Sequence, residues 1–106
     1  MNNELEEVKE QYYSYIEKIP QGADYIVNNL REDNLEKALL TINDFAEGIM
    51  WLITMADILS TDIVNVNKIK EYLLEINEGL ELQDFILVAD LFEYEIKPYF
   101  EGVLNS

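Results

Sequence analysis

The sequence predicts an all-α protein, a four- to five-helix antiparallel bundle. Apolar residues recur three and four apart along nearly the whole chain. Only four Gly and two Pro occur in 106 residues, so turns are few and elements long. The stretch from Leu82 to about Leu104 carries two apolar faces instead of one. At about 100° per residue, Phe85, Val88, Ala89, Phe92, Ile96, Tyr99, Phe100 and Val103 fall on one stripe. Leu87, Leu91, Tyr94 and Pro98 fall on a second, nearly opposite. A small domain has little interior in which to hide a helix on both sides. The C-terminal helix is therefore either a central strut or a contact surface for another chain.

The length suits a single domain, residues 1–106, able to bury about two thirds of its unfolded surface. A first helix is expected from roughly Asn3 to Ile19, with Leu5, Val8, Tyr12, Ile16 and Ile19 inward. Pro20 lacks an N–H and disfavours helix at Ile19, so a break is expected there, followed by a shorter helix to Arg31. Asp33 has N-cap chemistry, and Glu36 stands at capping-box spacing. The next helix runs to about Leu59 on Leu35, Ala38, Leu39, Ile42, Ala46, Ile49, Ile53 and Ala56, with Gly48 its expected weak point. Asn65 is the expected N-cap of a helix from Val66 to Glu78, and Gly79 its terminator. The short turn that follows makes a hairpin with the C-terminal helix. The stripe of that helix stays in phase across Pro98, so it is expected to bend there without stopping. By this reading the Leu35–Leu59 and Leu82–Leu104 helices form the centre of the bundle.

Composition excludes much chemistry. Without Cys or His there is no disulfide, thiolate, structural zinc or imidazole catalysis. With 22 acids against 7 bases the net charge is −15, which repels nucleic acid and anionic membrane surfaces. The start is acidic, with no signal-peptide core. The most apolar run, Gly48 to Ala56, is well short of the ~20 residues that span a bilayer. These features point to a cytoplasmic protein.

Three groups of residues invite a functional reading. Glu75, Glu78, Glu81 and Asp84 are spaced by threes, and acids so placed on one helix face can share a hard cation. The pattern is similar to the E-x-x-E … E-x-x-D signature of all-α nucleotide pyrophosphohydrolases, but its halves abut where that family uses paired helices. A solvated acidic face is the plainer reading, and no cofactor or metal is expected. Asp57 and Glu95 project toward apolar stripes and are candidate buried acids, which would need a hydrogen-bonding partner. Seven tyrosines are many; Tyr13 and Trp51 point away from their helices' main stripes and join Leu87, Leu91, Tyr94 and Pro98 as an expected interaction surface. Asp90, Glu93, Lys97 and Glu101 read as a solvent-facing stripe, with Glu93 and Lys97 at favourable i, i+4 spacing.

The segment Asp90-Leu-Phe-Glu-Tyr-Glu-Ile-Lys-Pro98 resembles the C-terminal signature, D-L-x-E-Y-E-x-x-P, of a family of short acidic all-helical proteins from Gram-positive bacteria. The resemblance implies a helical domain in a bacterial cytosol and no particular activity. The expected function is thus a non-enzymatic protein–protein interaction module, an adaptor, small chaperone or regulator, homodimeric through the C-terminal helix or bound to a basic or helical partner. A Mg²⁺-dependent hydrolase built on the four spaced acids and an acidic nucleic-acid mimic are the alternatives.

Overall fold

The computed structural model describes residues 3–105, and every regular element among them is helical. In chain order these are α1 (Asn3–Arg31), α2 (Leu35–Ile58), α3 (Val66–Glu81) and α4 (Phe85–Leu91). A π-helical turn (Phe92–Ile96) then leads into α5 (Lys97–Leu104). The last three follow one another without a loop and form one rod. The expected antiparallel bundle is what the chain builds. Its centre differs from the expected one. α1 packs along α2 on one side and along the whole α4–π–α5 rod on another, while α3 lies against α4 and the end of α2. At 29 residues α1 is about 44 Å long, nearly the 49 Å length of the molecule, so it can run beside both α2 and the full rod.

The break expected at Pro20 does not occur, and one helix runs through it. Tyr12, Ile16 and Ile19 before the proline and Ala23, Ile26, Val27 and Leu30 after it are buried along the same stripe. Each of the Ile, Val and Leu side chains contributes on the order of 1.5–3 kcal/mol, together enough to outweigh the roughly 3 kcal/mol of an interior proline. Pro98 is likewise passed without a stop, as expected, but by a different device. Just ahead of it the helix widens, and the Lys97 N–H donates to the carbonyl of Phe92, five residues back. The extra residue in that turn leaves Phe92, Ile96 and Phe100 fully buried on one line.

Three helices end in a residue with left-handed backbone, none of them glycine: Asp33 (φ 61°), Ser60 (φ 53°) and Gln83 (φ 55°). In each case the next N–H reaches five residues back, Asn34 to Asn29, Thr61 to Ala56 and Asp84 to Gly79, at 2.8–3.0 Å. These bonds satisfy carbonyls that the helix end would otherwise strand. Asp33 is therefore the terminator of α1 and not the N-cap of α2; Asn34 holds that place without a side-chain bond. Asn65 does cap α3, accepting from Lys68 N–H at 3.1 Å. Its own N–H donates to the Tyr99 hydroxyl at 2.7 Å, which ties the α2–α3 loop to α5.

Neither Gly48 nor Gly79 acts as the sequence suggested. α2 continues through Gly48, where a Cβ would strike the Tyr15 hydroxyl. Tyr15 in turn lies edge-on to Trp51 (6.1 Å between centroids), and Trp51 also meets Tyr12 (6.2 Å). Gly79 sits inside α3, where a Cβ would come within 2.6 Å of Val88 Cγ2. It sets the close approach of α3 to α4. By length and composition α2 is long and apolar enough to cross a membrane, which the run Gly48–Ala56 alone is not. Here Ala38, Ile42, Phe45, Ile49, Leu52 and Ala56 are buried against the other helices.

Candidate functional site

The α3–α4 hairpin places residues about equally far from its turn opposite one another. Gly79 meets Val88, and the hydroxyl of buried Tyr72 lies 3.5 Å from the Glu95 carbonyl. Asp84 fixes the start of α4 by accepting from Leu87 N–H at 3.0 Å. Because Gly79 lacks a side chain, the two helices are close at Val88, and a groove opens beside that contact. Leu87, Leu91 and Tyr94 supply its apolar surface, and Glu75, Glu78, Asp90 and Glu95 its charge, around a cavity of about 370 Å³. Leu91 is buried at its floor, Leu87 is 48% exposed, and Tyr94 is 67% exposed. No basic side chain is among these lining residues.

The acids are close enough to feel one another. Partial burial, then Glu95, Glu71 and Glu78, push the Glu75 carboxyl above its ordinary range, against only a weak opposing pull from Lys68. Burial, followed by Glu95, Tyr99, Glu75 and Glu71, pushes the Tyr72 hydroxyl up to about 12. The potential here is therefore negative and poorly compensated. Asp90 is the exception. Arg31, at the end of α1, donates to it at 3.1 Å and to both oxygens of Glu93 at 2.6 and 3.0 Å. Lys97 donates to Asp24 of α1 at 2.8 Å. The expected Glu93–Lys97 pair along the rod is thus replaced by bonds from each residue to α1. The stripe read as solvent-facing is in part the seam between α1 and the rod.

The six residues expected to form one interaction surface divide. Leu87, Leu91 and Tyr94 come together in the groove, although Leu91 is inward and not on the open face. Pro98 is exposed but does not line it. Tyr13 packs edge-on to Tyr12 and borders a separate cleft with Leu5, Lys9 and Leu59. Trp51 is half-buried between tyrosines. Neither candidate buried acid is buried. Asp57 lies on the open flank of the last turn of α2, and Glu95 is turned outward by the π-helical turn. The acids Glu75, Glu78, Glu81 and Asp84 do not gather either. α3 carries the first three through Gly79 to its end, Asp84 is engaged as a cap, and no three acids among the described residues are placed to hold a metal ion. Sequence reasoning considered Glu75, Glu78 and Glu95 for other roles and missed them as walls of the groove. Counting outward from the Leu82–Asp84 turn would have set Glu78 opposite Ala89 and Glu75 opposite Phe92, beside Asp90 and Leu91.

Fold and site together define a strongly acidic helical bundle with an acid-walled apolar groove between α3 and the rod. The chain belongs to the family described as a domain of unknown function, DUF8042, whose model matches residues 7–106. No curated protein and no solved structure matches it.

Proposed function

We propose that this chain is a non-enzymatic protein–protein interaction module of the Gram-positive bacterial cytosol, an adaptor, small chaperone or regulator, and that the α3/α4–π groove is its docking face. The carrying observation is that Leu87, Leu91 and Tyr94 share one groove, with Tyr94 mostly exposed above a buried Leu91. An aromatic ring held out from a rigid helix beside an apolar floor is the composition of an interface hot spot. A second cleft gathers Leu35, Ile86 and half-buried Phe85, but Arg31 stands in its lining and no exposed aromatic ring crowns it. Leu40 and Ile58 lie on one side of α2, with Leu39 and Met50 about 100° away, and scattered residues of this kind are normal on a surface.

A second copy is a poor occupant. Two chains of net charge −15, meeting through grooves walled by carboxylates, would set like charges against each other. The module is accordingly expected to be monomeric at low salt.

A photo-crosslinking residue at Tyr94, with an exposed control at Leu40, tests the site in cells. Discrete adducts from position 94 and none from position 40 are expected. Equal labelling at the two positions, or none at 94, would sink the docking face.

A further inference from the structure

We infer that the groove takes a basic amphipathic helix, with one or two large apolar side chains seated among Leu87, Leu91 and Tyr94 and Lys or Arg side chains reaching Glu75 and Glu78 on one wall and Glu95 on the other. The inference rests on the docking face proposed above and adds the chemistry of what occupies it.

Three features of the groove select this occupant. The first is the apolar register. Leu87, Leu91 and Tyr94 are spaced by four and three residues, each step about one turn and the whole about 10 Å along the rod, which matches apolar anchors on successive turns of a second helix. A volume near 370 Å³ holds one or two side chains and no more. The second is the sign of the walls. All four charged lining residues are acids, and among the described residues only Asp90 of the four forms an ion pair, with Arg31. A partner that brought no cations would desolvate Glu75, Glu78 and Glu95 without compensation, while a basic one relieves their mutual repulsion. The third is the direction of existing strain. The Glu75 carboxyl is already disfavoured as an anion by burial and by its neighbours, so an arriving cation improves the free protein's own electrostatics.

The test is selection from a displayed random 16-residue peptide library on the full-length chain at low salt. Counter-selection uses the Leu87→Asp variant, whose folding is checked by circular dichroism. Tyr94→Ala, at a more exposed position, serves as the second variant. The expected result is enrichment of peptides with Lys or Arg flanking large apolar residues at i, i+4. Their affinity should fall about five-fold in the Glu75→Gln/Glu95→Gln double variant, as for two semi-exposed charge pairs, and that difference should fade in high salt. Peptides that need Leu87 and Tyr94 but show no excess of basic residues, or that ignore the double charge variant, would overturn the basic helix and leave the docking face standing. Enriched peptides that bind wild type and both groove variants alike, or no enrichment at all, would overturn both.

Discussion

Arg31 closes the bundle by gripping Glu93 with two hydrogen bonds from one guanidinium nitrogen, at 2.6 and 3.0 Å, across 62 residues of chain. The same side chain reaches Asp90, one turn earlier on the rod. The last residue of α1 is thereby fixed to the start of the π-helical turn. All three groups are partly open to water, so the bonds act more on register than on bulk stability. Arg31→Ala is expected to lower the melting temperature at low salt, with the difference shrinking in 1 M salt. Arg31→Lys should restore only part of it, because an ammonium cannot serve two carboxylates with a planar fork. Thermal melts at two ionic strengths decide this, and a salt-independent deficit would show that packing, not charge, is what Arg31 supplies.

Gly79→Ala should destabilise the protein although it improves helix propensity by about 1 kcal/mol. The new methyl meets Val88 Cγ2 at 2.6 Å, and Val88 is fully buried and stiff at its branched Cβ. Overpacking of this kind costs roughly 1–3 kcal/mol, which leaves up to about 2 kcal/mol after the propensity gain, so a fall of several degrees is expected in a calorimetric scan. An unchanged or higher melting temperature would mean that α3 and α4 slide apart freely, and the groove would then not be a fixed shape.

Tyr12 is fully buried, and its hydroxyl has no hydrogen-bond partner among the described residues. Burial, with Tyr13 and Tyr99 nearby, holds that hydroxyl above its ordinary pKa. Removing an unsatisfied buried hydroxyl relieves a desolvation cost of about 1–3 kcal/mol. Tyr12→Phe is accordingly expected to raise stability by about 1 kcal/mol in urea unfolding, without a change in the denaturant slope. A loss would point to a bond made by that hydroxyl.

Alkaline pH should unfold this chain earlier than its lack of Cys and scarcity of Lys suggest. Tyr72 keeps its proton in the folded state to about 12, whereas an unfolded tyrosine releases it near 10. Tyr12 and Tyr15 are shifted the same way, chiefly by burial. The folded state thus binds more protons above pH 10, so stability is intact below that value and falls as pH rises toward 12. Tyr72→Phe should flatten this decline. If urea midpoints at pH 9, 10 and 11 have the same slope in wild type and variant, Tyr72 is not responsible.

Much of the architecture was legible because helical periodicity records burial directly. The stripes of Tyr12 and Ile16, of Ile42 and Ile49, and of Phe92, Ile96 and Phe100 are all in the core. What was not legible follows from effects that periodicity does not carry. The helix break at Pro20 failed because a local cost was set against a tertiary gain that appears only when both flanks are buried together. Asp33 and Gly79 were misread because either chemistry suits two positions: Asp is at home as an N-cap or in left-handed backbone, and Gly as a terminator or a close-contact site. Part of the candidate groove could be read from the second apolar face, Leu87, Leu91 and Tyr94. Its acid walls could not be read from single helices, since Glu75 and Glu95 meet only when the hairpin closes.

The widened turn at Phe92–Ile96 is a surplus of one residue spliced into an otherwise regular rod. A chain lacking one position there, at Glu93 or Tyr94, would wind as plain α-helix and still deliver Ile96, Phe100 and Val103 to the same seats against α1. Deletions elsewhere along the rod would rotate everything downstream by about a quarter turn and turn those side chains toward water. The bulge is therefore the stretch of the rod where length can change while the core survives. Such a shortened relative would keep its shape and forfeit either the clasp on Arg31 or the ring that crowns the groove.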